Sequence, residues 1–155
     1  METKTNVMRI LDSLKLTYKA YQYSTDGAIS GVEVAQILGF PMEQVFKTLV
    51  TVAKSKKYYV FMIPVAEELN LKKAAQAADE KAIEMIKSKE LLPLTGYVHG
   101  GCSPIGMKKP FPIFLDASAT KKETILFSAG KIGFQVEMSV TSLQKAAPVT
   151  IVALI

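Results

Sequence analysis

Hydrophobic residues near the N-terminus recur with the period of an α-helix. They fall at i, i+3, i+4 and i+7, which places their side chains on one helix face; the residues are Val7, Ile10, Leu11 and Leu14. Thr5 or Asn6 precedes this run as a candidate N-cap. A short strand is predicted next, around residues 16–23, followed by a loop that contains Ser24, Asp26 and Gly27.

Further helices carry recognisable start and stop signals. Ser30 and Glu33 have the spacing of a capping box, and the helix that they start is predicted to end at Gly39. Asn70 is a candidate cap for a helix rich in Ala and Lys over residues 71–78. Pro93 is expected to limit a helix to residues 88–92, because proline lacks the N–H that a helix interior needs.

The remaining apolar runs predict strands. Residues 45–53 are rich in branched and aromatic side chains and contain no Gly or Pro. Polar residues 54–57 predict a hairpin turn into a second strand over residues 58–63. Later strands are predicted over residues 112–116, 124–128, 134–138 and 149–155, with a short helix over residues 142–146. Since no repeat or linker interrupts this order, it predicts one α+β domain over residues 1–155.

Lys47 is the one charged residue in the strand predicted over residues 45–53. Side chains alternate along a strand, so Lys47 shares a face with Val45 and Leu49. An ammonium group in that row must either reach water along its apolar stem or meet an anionic or carbonyl group. The strand alone favours a lysine that reaches water, whereas a ligand contact would make Lys47 part of a site.

Composition narrows the class of protein. The chain has 155 residues, of which 49% are hydrophobic and 21% charged, a balance typical of a globular protein. No apolar stretch approaches the ~20 residues that span a bilayer, and the N-terminus lacks the apolar segment of a secretion signal. We therefore expect no membrane association. With Cys102 as the only cysteine, we also expect a cytoplasmic protein without intrachain disulfides.

The net charge of +5 gives mild support for an anionic partner such as RNA. The 19 basic residues are mixed with 14 acidic ones, and zinc-finger spacing, an arginine-rich arm and an aromatic RNA-binding signature are all absent from the sequence. If nucleic acid binds, we expect a pocket rather than the general surface to give specificity.

A glycine-rich segment over residues 96–106 is a second candidate site. Glycine lets a ligand approach the main chain, and Pro104 stiffens the far end, so backbone N–H groups can point at an ester carbonyl or a phosphate. A structural loop between strands is the favoured interpretation of this pattern alone. Ser128–Lys131, after a predicted strand, is open to the same two interpretations.

Groups for covalent catalysis are scarce. His99 is the only histidine, so a dyad with Cys102 or Ser103 would have to use it, and proximity in sequence does not establish hydrogen-bonding geometry. Cys102 is better interpreted as a small loop residue. The sequence also lacks metal-binding spacings and the P-loop and dinucleotide fingerprints, so neither a metal nor a cofactor is expected.

Taken in order, several motifs resemble the YbaK family, the free-standing aminoacyl-tRNA deacylases related to the editing domain of bacterial prolyl-tRNA synthetases. The resemblance covers nearly the whole chain. Within the family, the chain is most similar to the Cys-tRNA(Pro) deacylase branch. It is carried by Gly31…Ala35…Leu38-Gly39, Phe46-Lys47-Thr48-Leu49, Leu69–Ala75, Thr95-Gly96-Tyr97, Gly100–Gly106, Ser128–Lys131 and Val136-Glu137.

The resemblance implies a fold and a site. The expected fold is α/β, with helices around a mixed, barrel-like β-sheet. Lys47 matches the functionally essential lysine of the family, and residues 100–104 match its Gly-x-x-x-Pro loop, whose backbone borders the aminoacyl ester. The substrate-binding residues implied in this way are Tyr23, Thr48, Gly100, Gly101, Cys102, Ser103, Pro104, Ser128 and Gly130.

The implied reaction is hydrolysis of the ester in mischarged Cys-tRNA(Pro), with the thiol of the substrate as nucleophile. The implied partners are the acceptor end of aminoacyl-tRNA and prolyl-tRNA synthetase. Two alternatives stay open: a deacylase for Ala-tRNA(Pro) or another small amino acid that uses an activated water, and a module that binds aminoacyl-tRNA or a synthetase without catalysis.

Overall fold

The computed structural model describes residues 4–25 and 29–155. Asp26 and Gly27, predicted to lie in a loop, fall outside the described residues. The helices are α1 (Asn6–Ser13), α2 (Gly31–Leu38), α3 (Leu71–Ala78), α4 (Ser88–Thr95) and α5 (Val140–Ala146). The strands are β1 (Lys19–Gln22), β2 (Phe46–Ala53), β3 (Tyr58–Pro64), β4 (Ile83–Met85), β5 (Ile113–Asp116), β6 (Ile125–Ser128), β7 (Phe134–Met138) and β8 (Val149–Val152).

The strands form two sheets. The larger has the order β4-β2-β3-β5-β8, with antiparallel pairing among its first three strands and parallel pairing from β3 to β8. The smaller is antiparallel, with the order β1-β7-β6. A single bridge between Val45 and Leu126 joins the two sheets.

The mixed α/β architecture is confirmed, but the barrel-like closure expected from the family is wrong. Closure requires a continuous ladder around the ring. Among the described strands, β1 and β8 end their sheets, and the strand pairing between the sheets is limited to one bridge. The two sheets therefore form a junction rather than a closed barrel.

Local signals place the first three helices as predicted. Thr5 caps α1 by accepting a hydrogen bond from the N–H of Met8, and Asn70 caps α3. Ser30 and Glu33 form both hydrogen bonds of the capping box at the start of α2. Gly39 ends α2 with φ +77°, a backbone conformation that glycine adopts without strain.

The predicted end of α4 at residue 92 is wrong, because the helix continues through Pro93 to Thr95. Proline removes one backbone donor, but the turn is completed by neighbours on either side. The Thr95 hydroxyl donates to the carbonyl of Leu91 at 2.7 Å, and the N–H of Gly96 donates to that of Leu92 at 2.9 Å. The short strand β4 was not predicted, since three residues are too few to show a period.

Both faces of the larger sheet are covered. On one face, Phe46 and Met62 pack with α1 and with the apolar face of the smaller sheet, which includes Phe127. On the other face, Phe61 packs with Ala74 of α3. A third, small cluster of Ala35, Val45, Val65 and Leu126 seats α2 at the junction of the sheets. No helix in the described parts of the chain is long and apolar enough to cross a membrane.

Candidate active site

A cavity of about 430 Å³ lies beside the junction of the two sheets. Its wall includes the start of α2, the segment from β4 to α4, the loop after α4, and the ends of β6 and β7. The position of α2 depends on Gly31, because a Cβ atom there would overlap the side chain of Val65. The volume falls within the ~300–1,000 Å³ typical of ligand sites.

The cavity lies at an open edge of β2. Five consecutive residues of this strand, residues 46–50, line it. Alternate side chains point to opposite faces of a sheet, so a cavity that touches all five must lie at the strand's edge. Strand β4 pairs with β2 only along residues 51–53, and Val45 bridges Leu126. Between these contacts, residues 46–49 are paired with no strand on this edge among the described residues.

Lys47 lies on this open edge. It pairs with Ile63 across the β2–β3 ladder, and its side chain is partly buried. Among the described residues, its ammonium group has neither a hydrogen-bond nor an ion-pair partner. An unpaired cation in the wall of a cavity can bind an ester carbonyl or a phosphate by a charge-assisted hydrogen bond.

The glycine-rich loop contributes a second wall of the cavity. His99, Gly100 and Cys102 line it. Gly101 faces the other way: a Cβ atom there would lie 3.1 Å from the backbone nitrogen of Ile132. The loop is held from behind by Tyr97, whose hydroxyl donates to the carbonyl of Ile105 at 2.5 Å.

The predicted site residues divide into two groups. The cavity brings together Lys47, Thr48, Gly100, Cys102 and Ser128. The others do not line it; these are Tyr23, Gly101, Ser103, Pro104 and Gly130. Several of them support the wall instead. For example, the Ser103 hydroxyl accepts from the N–H of Ile105 at 3.3 Å, and Gly130 leaves room for the ring of Tyr97.

Cys102 is 8% exposed, and burial raises the pKa of its thiol to about 12. A thiol with this pKa stays protonated at neutral pH and is a poor nucleophile. His99 is exposed at the cavity wall. The geometry therefore gives no support to a Cys102–His99 dyad.

Gln135 is a cavity residue that the sequence did not single out. It lies on β7 directly opposite Ser128 of β6 and is 6% exposed. Polar and apolar residues alternate along β7, and this pattern predicts that Gln135 lies on a face of the sheet exposed to solvent. The polar face of the smaller sheet is instead covered at the junction. The one sequence signal that could have assigned Gln135 to the site is its position a few residues after the candidate segment Ser128–Lys131.

Two residues of the cavity wall each carry a buried oxygen that has no hydrogen-bond partner within the described part of the chain: Oγ1 of Thr48 and Oε1 of Gln135. Ser128 differs, because its hydroxyl oxygen accepts from the N–H of Gly130 at 3.1 Å. Buried polar groups in native proteins are nearly always paired with protein, water or ligand. The cavity thus combines an unpaired cation with unpaired hydrogen-bonding groups.

The chain belongs to the aminoacyl-tRNA editing domain family, whose model matches residues 27–146. Among its relatives is EbsC of Enterococcus faecalis, provisionally assigned as a Cys-tRNA(Pro)/Cys-tRNA(Cys) deacylase. EbsC is 44% identical over 139 residues, which cover 89% of this chain and 85% of EbsC. These findings confirm the family resemblance seen in the sequence.

Two further relatives extend the comparison. The proline–tRNA ligase of Shouchella clausii is 30% identical over 102 residues, which cover 66% of this chain and 18% of the ligase. A solved structure provisionally described as a trans-editing enzyme for prolyl-tRNA synthetase superposes with a TM-score of 0.84. It has 21% identity and covers 98% of both chains. At this identity the superposition establishes the fold.

Proposed function

We propose that the protein is a trans-editing hydrolase that cleaves the ester of mischarged Cys-tRNA(Pro), and of other Cys-tRNA, in the cytoplasm. The observation that carries the proposal is the 44% identity to EbsC over most of both chains, in a family of aminoacyl-tRNA editing domains. The cavity supports it, because Lys47, whose ammonium group has no partner among the described residues, lines a space of about 430 Å³.

The proposed chemistry uses the substrate's own thiol. Its sulfur attacks the ester carbonyl, a C–S bond forms, and the bond between carbonyl carbon and ribose oxygen breaks. The thiol proton ends on the ribose hydroxyl, and water then opens the cyclic thioester to free cysteine. The enzyme contributes by holding the thiol close to the carbonyl and by stabilising the negative charge that develops on the carbonyl oxygen.

Lys47 and the glycine-rich loop have separate roles in this proposal. The ammonium group of Lys47 stabilises the oxyanion or holds the terminal phosphate, and backbone N–H groups of residues 100–104 act as further donors. Because the thiol of Cys102 is protonated, it is a poor nucleophile, and the thiol of the substrate is the attacking group in this proposal. Prolyl-tRNA synthetase is the proposed partner that selects the tRNA, since part of a proline–tRNA ligase resembles this chain.

The test is deacylation of Cys-tRNA(Pro), Ala-tRNA(Pro) and Pro-tRNA(Pro) by wild type and Lys47→Ala. We expect rapid loss of the Cys ester alone, and a decrease on the order of 10²–10³ in rate for Lys47→Ala, because a transition-state contact is lost. Lys145→Ala is the matched control, since Lys145 is exposed on α5 and does not line the cavity.

Each alternative has its own outcome. Cleavage of the Ala ester would indicate that an activated water, and not the thiol of the substrate, is the nucleophile. Binding of aminoacyl-tRNA without acceleration of any ester loss would leave a binding module. If adding the synthetase leaves the selectivity among tRNA species unchanged, the proposed partner is wrong.

A further inference from the structure

Thr48 and Gln135 line one cavity, and each has a buried side-chain oxygen without a hydrogen-bond partner among the described residues. Because Oγ1 of Thr48 and Oε1 of Gln135 expose almost no surface, a ligand in the cavity reaches them only after a side-chain rotation. They come from different sheets, β2 and β7, so one local distortion does not account for both. Leaving a buried polar group unpartnered is unfavourable, and a ligand in the cavity can supply the missing partners once these side chains rotate toward it.

The cavity wall limits the kind of ligand group that fits. Lys47 and His99 are its basic residues, and no Asp or Glu is among the described residues that line it. The Cys102 thiol is protonated and adds no negative charge. Acceptors in the described wall are therefore neutral, and the Gln135 carbonyl is the strongest side-chain acceptor among them.

An aminoacyl ester has few groups that can donate to such an acceptor. Its carbonyl accepts only, and a thiol is a weak donor. The ribose hydroxyl lies at the bulky nucleotide end, whereas Gln135 is almost fully buried. The α-amino group is compact, donates two or three hydrogen bonds, and lies one atom from the carbonyl carbon. It is the group of the substrate that matches the site.

We infer that Gln135, assisted by the Thr48 hydroxyl, binds the α-amino group of the aminoacyl ester and restricts the enzyme to esters that carry this group. The inference rests on the proposed function, because it takes the ligand to be an aminoacyl ester. A half-turn of the terminal amide, whose torsion is soft, presents the carbonyl oxygen of Gln135 to the cavity. Lys47 lines the same cavity and is therefore available to the ester carbonyl of the same substrate.

The test is a binding measurement that needs no catalysis. Two probes are compared by calorimetry: 3′-cysteinylamido-3′-deoxyadenosine, and the 3-mercaptopropionyl amide, which keeps the thiol but lacks the amino group. We expect wild type to bind the amino probe about tenfold more tightly, the value of one good hydrogen bond to a buried acceptor. Gln135→Met is expected to abolish this preference and leave the affinity for the des-amino probe unchanged.

Two variants complete the test. Gln135→Glu keeps an acceptor of the same shape and should retain or increase the preference for the amino probe. Gln144→Met, on the exposed side of α5, should match wild type. If thermal unfolding shows that Gln135→Met does not fold, Thr48→Val takes its place and should reduce the preference.

Equal affinities of wild type for the two probes would overturn the inference, as would a full preference in folded Gln135→Met or in Thr48→Val. A preference lost in Gln135→Glu would also overturn it. Failure of the proposed function is separate, because it would appear as no deacylation of Cys-tRNA(Pro), whatever the amide probes show.

Discussion

At the scale of single residues, the glycine-rich loop is fitted to the chain behind it. Gly101 has no side chain, and a Cβ atom there would meet the backbone of Lys131 and Ile132 at 3.1–3.4 Å. Backbone atoms yield less readily than the end of a flexible side chain. The position of Gly100 and Cys102 in the cavity wall therefore depends on the absence of a side chain between them.

Gly101→Ala should displace this loop. We expect a loss of about 1 kcal/mol in unfolding free energy from overpacking, and a decrease on the order of tenfold in deacylation rate because backbone donors move from the ester. Gly39→Ala is the matched control: its φ of +77° also costs about 1 kcal/mol, but Gly39 does not line the cavity. Equal deacylation by the two variants would contradict the prediction.

At the scale of elements, the sequence predicted most helices and strands because their signals are local. The caps at Thr5, Ser30 and Asn70 act within four residues of the helix that each starts. Strand β4 was missed because its pairing partner is distant in the sequence, and the last turn of α4 was missed because Pro93 was expected to end the helix. Strand β4 is defined by its pairing with β2, and α4 passes through Pro93.

The capping box of α2 connects an element with the site. The Ser30 hydroxyl accepts from the N–H of Glu33 at 3.2 Å, and Ser30 lines the cavity. Ser30→Ala should lower the free energy of unfolding by about 1 kcal/mol and also slow deacylation, because the start of α2 frays beside the substrate. Urea denaturation and deacylation assays measure the two effects.

Ser139 provides the control for this prediction. It caps α5 by accepting from the N–H of Ser142 at 3.1 Å, and it does not line the cavity. Ser139→Ala should lose similar stability and keep wild-type deacylation. A parallel loss of activity in both variants would assign the effect to general stability.

At the scale of the whole molecule, Glu137 of β7 connects β1, the residue before β6 and the chain before β2. Tyr21 donates to one carboxylate oxygen at 2.6 Å and Thr124 to the other at 2.5 Å, while Gln44 donates to Thr124 at 3.1 Å. Burial raises the pKa of Glu137, but the hydrogen bonds from Thr124 and Tyr21 outweigh it and lower the pKa below its ordinary value of 4.5.

This network predicts a pH dependence of stability. Because the pKa of Glu137 is lower in the folded state, the unfolded chain binds the proton more tightly. The stabilisation is therefore complete above pH 4.5 and is lost as the pH falls through the folded-state pKa. Glu137→Gln should flatten the acid side of the stability profile, as measured by urea unfolding from pH 3 to pH 7.

Tyr21→Phe is the intermediate case. It removes one of the two donors to Glu137 and keeps the carboxylate, so its profile should lie between those of wild type and Glu137→Gln. A Glu137→Gln profile as steep as that of wild type below pH 4.5 would contradict the prediction.

The sequence was least informative about how the two sheets meet. Gln135 and Glu137 alternate with apolar residues, which is typical of a strand with one face in solvent. Their face is covered instead, near the bridge between Val45 and Leu126. Such coverage is a long-range property. Lys47 was therefore predicted from its strand and Thr48 from the family resemblance, whereas neither Gln135 nor the open junction was predicted.

The open edge of β2 has a consequence for the behaviour of the protein in solution. An unpaired strand edge exposes N–H and C=O groups that can pair with a strand of another chain and start aggregation. In this fold the unpaired stretch over residues 46–49 lines a cavity between α2 and α4. Because residues of α2 and α4 flank this stretch, a strand from another chain has less access to it than to an edge that faces solvent directly. We therefore expect this edge to contribute little to self-association.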